Sequence, residues 1–163
     1  MYNDLFSIGG LTVHGYGLCI GIGIAALGKA SGNQFVALAG IAGALLHTAN
    51  HSFFKPLLFF GAGNILSATH TTSLDSLGGL GRHMPLTALL FLAGTAAICA
   101  LPPLNGFVSE LLIYLGLFDG IASGSDTLAS AAALTALALI GGVVVLAFTK
   151  LYGTVFLGAP RTH

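Results

Sequence analysis

From Gln34 to Ala68 the chain carries a single formal charge, Lys55. No other feature limits the fold as severely. A membrane-spanning helix needs about 20 apolar residues. A single helix over this run would reach roughly 50 Å at ~1.5 Å per residue. The run must therefore tilt, extend beyond a bilayer, or break near Pro56. Proline removes a backbone donor and clashes with the preceding turn.

The rest of the chain has the same texture. Of its 163 residues, 55% are hydrophobic and 6% are charged, where a soluble domain carries about 25% charged residues. With a mean hydropathy of +0.94, the chain reads as an all-α polytopic membrane protein rather than a water-soluble globule. Its formal net charge is zero, which gives no pull toward nucleic acid. Cys19 and Cys99 lie far apart in apolar segments with no CxxC, which argues against an iron–sulfur or structural zinc site. The glycines suit close helix packing in lipid. No charged n-region or small-residue cleavage site marks a removable signal peptide.

Five apolar segments are predicted, at about 8–28, 34–69, 86–102, 107–118 and 128–158. A polar loop, "THTTSLDSLGGLGRHMP", separates the second from the third, and Pro85 suits the first turn of the helix that follows. "LPPLNG" breaks the chain near residues 102–106. Lys29 and Arg161 fall on one side and Arg82 on the other if every segment crosses, so the positive-inside count does not fix orientation.

Most charges sit in loops or tails. Lys150 lies late in the last segment, where it can snorkel to the interface. Lys55 and Glu110 are harder to remove from hydrocarbon. Such a charge at a helix centre costs about 2.5–3.5 kcal/mol on insertion scales, which makes each a functional candidate by default. In "HTANHSFFKPLLFF", His47, His51 and Lys55 are spaced four and four. On a helix each step of four turns the direction by roughly 40°, so the three form one slanting stripe. Asn50 and Ser52 lie beside it. Three plain readings compete with a functional seam. The histidines are hydrogen-bonded core residues, or they form an i, i+4 metal pair that lacks a third ligand, or Lys55 marks a span boundary.

Glu110 follows the Pro102-Pro103 pair by a few residues, with Asn105 and Ser109 nearby to supply hydrogen bonds. Broken helices in membranes are tolerated inside protein or beside water, and transporters place ion sites there. An acid at this position also caps the start of a helix near Phe107. Both roles are compatible.

These residues together form a pattern. "HTANHSFFKPLLFFGAGNIL" followed by "LDSLGGLGRHMPLTALLFLAGTAAICALPPLNGFVSELLIY" resembles the antiporter-like membrane subunits of respiratory complex I, Mrp-type sodium/proton antiporters and membrane-bound hydrogenases. "LPPLNGFVSE" with "FLGAPRT" is most similar to the hydrogenase-type members. The resemblance runs from about Leu18 to Arg161. It implies a proton-translocating subunit without a redox cofactor, held in a bacterial or archaeal cell membrane beside other membrane and peripheral subunits of a redox complex. It further implies that Lys55, His47 and His51 lie on a central hydrophilic axis and that Glu110 lies on a broken helix at the exit side.

The chain departs from the family pattern in three places. It has room only for the later helices, so the first half-channel is expected to be missing. "FSIGGLTVHGYGLC" stands where the family has a motif like S-S-I-E-N-I-G-I-I, as a frameshift or mis-called start would leave it. Pro56 replaces a small residue next to Lys55.

Burial favours the neutral form of an acid or an amine alike, which eases proton exchange. Imidazole can accept a proton at one nitrogen and donate at the other. No nucleophile–base–orienter set and no phosphate-binding loop is evident, so no catalysis is expected of this chain itself. Three functions compete: a proton-translocating subunit of a redox complex, a sodium/proton antiporter component, and a non-conducting truncated remnant.

Overall fold

The computed structural model describes residues 4–8 and 11–159, with side chains from residue 18 onward. The expected helical architecture is the one observed. Its helices are α1 (Gly15–Ala30), α2 (Gln34–Thr69), α3 (Pro85–Ile98), α4 (Asn105–Ala122) and α5 (Thr127–Tyr152), the last running on into a π-turn at Gly153–Leu157. A short 3-10 turn, Leu80–Arg82, precedes α3.

The largest boundary difference from the sequence expectation is at the start of the chain. The first helix starts at Gly15, not near residue 8. Before it, β1 (Asp4–Ile8) pairs antiparallel with β2 (Leu11–His14). The sequence between the strands is Gly9-Gly10, a dipeptide that favours two-residue hairpin connections. An apolar stretch this short does not distinguish strand from helix by periodicity.

The long apolar run is one helix. α2 holds 36 residues with Pro56 inside it, which at ~1.5 Å per residue is roughly 54 Å. Its start is capped by Asn33, whose side-chain oxygen accepts from the Phe35 and Val36 amides at 3.0 and 3.1 Å. Capping of this kind satisfies amides that the first helical turn leaves open. Pro56 lies within this helix, between the buried side chains of Phe54 and Leu58.

α2 is the spine of the bundle. Close approaches along it fix the register of its neighbours. Gly61 meets the Phe91 ring and Gly94 meets Leu58, which places α3 antiparallel to the second half of α2. Gly43 meets Ile113 and Gly116 meets Ala39, which places α4 antiparallel to the first half. α3 and α4 therefore follow each other along one partner. α1 crosses the first half of α2 where Gly21 faces Ala44 and Gly40 faces the Ala25 amide. Small residues of this kind let backbones approach, and tight packing rather than apolar burial drives helix association in lipid.

Two buried clusters result. Ile24, Val36, Ile113 and Leu117 form one, with Leu134 and Leu137 packed on it. Leu58, Leu80, Phe91, Val155 and Phe156 belong to the other. Among the described residues, Asn105–Ala122 and Thr127–Leu157 are long and apolar enough to cross a membrane, while Leu18–Ala30 and Pro85–Ile98 are shorter apolar helices.

Residues 99–104 separate α3 from α4. Asn105 and Gly106, which the sequence reading assigned to the break, already belong to α4. α3 ends in a Schellman motif. Ala100 has a φ of 51°, its amide donates to Ala97 O at 3.2 Å, and the Leu101 amide donates to Ala96 O at 3.1 Å. That motif satisfies carbonyls at a helix end and normally uses glycine at the left-handed position. Gly106 is packed so closely that a Cβ there would run into the Ala97 carbonyl. The end of α3 and the start of α4 thus touch through backbone.

Candidate functional site

A cavity of about 560 Å³ opens beside the junction of α3 and α4. His47 and His51 of α2 and Glu110 of α4 all line it. Its remaining wall is largely apolar and includes Leu137, Ala138, Gly141 and Val144 of α5. A volume of this size, mostly apolar with a few convergent polar groups, has the character of a functional site.

The helices explain the convergence. His47 and His51 share a face because they are one turn apart, and their ring centroids lie 6.0 Å apart. Phe54 stands edge-on to both, at 6.5 Å from His47 and 5.1 Å from His51. α4 presents Glu110 to the cavity while the neighbouring Ser109 turns into the α2 contact and is fully buried.

Polar contacts tie the two helices together at this level. His47 Nδ1 lies 3.3 Å from Ser109 Oγ. The Ser109 hydroxyl donates to Gly106 O at 2.8 Å. Asn50, also buried, donates from Nδ2 to the Asn105 carbonyl at 2.7 Å. Ser52 has no part in this set, since its hydroxyl donates back to Thr48 O in its own helix at 2.9 Å.

Lys55 lies outside the cavity lining. It is half-buried, and its Nζ sits 5.9 Å from the centroid of the Phe59 ring. The structure thus gathers His47, His51 and Glu110 in one space, with Lys55 one turn beyond His51 on the same helix. Lys150 is exposed in the last turn of α5 and is not part of the lining. Among the described residues, no group of three His, Cys, Asp or Glu side chains is placed to hold a metal ion.

The sequence reading missed two polar lining residues, Cys99 and Tyr114. Tyr114 is one turn from Glu110, so the spacing rule that joined His47 to His51 also applied to it. Cys99 carried no such signal, because its position depends on how α3 ends. A second polar set was also missed. Asn33 Nδ2 donates to Asp119 Oδ2 at 2.8 Å and to Ser123 Oγ at 3.1 Å, fastening the start of α2 to the end of α4.

Known proteins are similar to this chain in sequence. The model of the NADH:quinone oxidoreductase/Mrp antiporter transmembrane family matches residues 22–141. Hydrogenase-4 component B of Escherichia coli K12 is 42% identical over 156 residues, covering 93% of this chain and 23% of the relative. Formate hydrogenlyase subunit 3 of the same organism is 41% identical over 150 residues, covering 86% of this chain and 25% of the relative. A NAD(P)H-quinone oxidoreductase chain 4-3 from Nostoc is 47% identical over 77 residues, covering 47% of this chain and 14% of the relative. The chain spans a quarter or less of the length of these relatives. His47, His51, Lys55 and Glu110 all fall inside the family match, and Lys150 falls outside it.

Proposed function

The chain belongs to the NADH:quinone oxidoreductase/Mrp antiporter transmembrane family, and from that premise we propose that it forms part of a proton-translocating membrane subunit of a redox-driven complex. The carrying observation is the cavity that brings His47, His51 and Glu110 together from two helices. Ionisable groups in a membrane interior are expensive, and they commonly mark ion or proton routes.

In this reading Glu110 is the group that takes and releases the proton. The two imidazoles relay it along α2, since an imidazole takes up and gives back a proton readily near neutral pH. Lys55 extends the line by one turn. The interruption at residues 99–104 divides a crossing made of α3 and α4, and it leaves Glu110 in the first turns of the second piece beside the cavity. Irregular backbone at membrane depth is tolerated in such a place, where protein or water can satisfy it. Ser109 and Asn50 hold α4 against α2 so that acid and imidazoles stay in one space. The names of its relatives, a hydrogenase component and quinone oxidoreductase chains, support partner subunits that carry the redox chemistry.

The test is redox-driven proton uptake in membrane vesicles bearing the complex that contains this chain. Glu110→Gln and Lys55→Met each keep approximate shape and remove the titrating group. Each is expected to lower proton uptake by about 100-fold, a loss of the size that follows removal of a positioned acid or base. Redox turnover in the presence of an uncoupler reports that the complex still assembles. Uptake at the normal rate in Glu110→Gln would sink the reading. Uptake that requires sodium would move the chain to the sodium/proton antiporter class.

A further inference from the structure

Ser109 has one hydroxyl proton and two polar neighbours. Its Oγ lies 2.8 Å from the Gly106 carbonyl and 3.3 Å from His47 Nδ1. A carbonyl oxygen has no proton to give, so the contact with Gly106 requires the serine to donate. That contact is also the shorter of the two and lies one turn back along α4. Once the proton is committed there, the same oxygen can meet His47 only as an acceptor. A hydrogen bond from His47 Nδ1 to Ser109 therefore requires a proton on Nδ1. In the neutral ring Nε2 is then the bare nitrogen, because neutral imidazole carries one N–H.

We propose that Ser109 is a positioning residue that holds neutral His47 in the Nδ1–H tautomer, making Nε2 the proton-accepting atom of this ring. The assignment of the tautomer stands on the serine geometry alone. Its use in proton transfer rests on the function proposed above.

Three features strengthen the inference. Ser109 is fully buried, so water does not compete for its hydroxyl proton. The register is rigid at this level: Gly43, one turn from His47, would drive a Cβ into Ile113 one turn from Ser109. Asn50 pins the same two helices at the Asn105 carbonyl. The tautomer is also chemically consequential. His47 lines the cavity, and with the lone pair on Nε2 the ring takes up and gives back a proton at that atom while the Nδ1 proton stays on its bond to Ser109. A ring with the opposite tautomer offers the cavity an N–H and accepts on the side of a serine that has no second proton to give. The second-neighbour bond to one nitrogen commonly decides which tautomer a histidine adopts.

The experiment is nitrogen NMR on the purified chain in lipid nanodiscs, with histidine ring nitrogens labelled. Spectra are taken at alkaline pH, where imidazole is neutral. His47→Gln assigns the His47 signals by their disappearance. The expected result is a protonated-type Nδ1 and a bare-type Nε2 for His47, opposite to the tautomer that predominates for free histidine in water. Ser109→Ala is expected to move the His47 pair toward that ordinary tautomer, and Ser109→Thr to restore the unusual one. A His47 found with a bare Nδ1 in the unsubstituted chain overturns the inference, whether or not Ser109→Ala folds. So does an Nδ1–H signal that persists unchanged in folded Ser109→Ala. None of these measurements uses proton flux. Failure of the transport reading in Glu110→Gln vesicles would leave the tautomer result standing, and the reverse also holds.

Discussion

Asn50 Nδ2 donates a 2.7 Å hydrogen bond to the main-chain carbonyl of Asn105. One side chain near the middle of α2 thereby reads the first residue of α4. It sets how far along α2 the acid-bearing helix begins. Glu110 reaches the level of the histidines partly because that starting point is fixed.

Loss of this contact should be measurable. Asn50→Leu removes the donor while keeping volume, and it is expected to lower stability by about 1 kcal/mol, the usual size for one interhelical hydrogen bond. Ser52→Ala is the control. That hydroxyl bonds only to its own helix, so thermal unfolding in detergent should stay near the unsubstituted value. Equal losses in the two variants would argue against the role assigned to Asn50.

Gly106 offers a sharper test of the α3–α4 junction. A methyl group there meets the Ala97 carbonyl, which is backbone and cannot rotate away. Gly106→Ala is expected to destabilise the fold by about 1–3 kcal/mol, the range for overpacking. Gly63 is a matched comparison within α2, because a Cβ there meets nothing within 4 Å. Gly63→Ala should be neutral or slightly stabilising in the same assay.

The Schellman turn predicts the opposite sign. Ala100 holds a φ of 51°, a region that disfavours a Cβ by roughly 1–2 kcal/mol. Ala100→Gly relieves this and also loosens the unfolded chain, which offsets part of the gain. The expected net effect is a stabilisation of about 0.5–1 kcal/mol. A lower unfolding temperature in Ala100→Gly would contradict the left-handed assignment.

Relay positions should differ from the acid. A water can replace an imidazole in a wet passage with little penalty. His51→Ala is therefore expected to retain a substantial part of the proton uptake that Glu110→Gln loses, when both are assayed in the same vesicles.

The chain alone should not conduct. Purified into liposomes with a pH-sensitive dye inside and an imposed gradient, it is expected to match empty liposomes, because it spans a quarter or less of the length of its curated relatives. A rapid dye response that disappears in Glu110→Gln would instead mark a self-sufficient channel.

What the sequence disclosed follows from how local each feature is. His47, His51 and Lys55 were readable as one stripe because helix geometry alone aligns residues four apart. Glu110 stood out because an acid beside a proline break in an apolar chain is costly wherever it lies. Neither argument could place Lys55 outside the cavity, since that depends on which direction a long side chain takes once Phe59 is near. The strand pair Asp4–Ile8 and Leu11–His14 escaped because each apolar run is too short to show a period. The left-handed turn at Ala100 escaped because the usual marker, glycine, is absent. Cys99 and the link from Asn33 to Asp119 depend on tertiary packing, and no spacing rule reaches across 86 residues.

α5 is anchored unevenly. Near its start, Ser130 is fully buried, its side chain set close to Gly120. Near its end, Val155 and Phe156 of the following turn are sunk into the cluster with Leu80 and Phe91. Between them, residues 138–147 are mostly exposed, and their packed side forms the outer wall of the cavity. Gly141 and Gly142 sit in this stretch, and a Cβ at either would meet nothing. A beam clamped at both ends keeps its compliance at midspan. The outer wall of the cavity is thus fixed at its two ends rather than at its middle, so a bowing of α5 would alter the volume around Glu110 with both clamps in place.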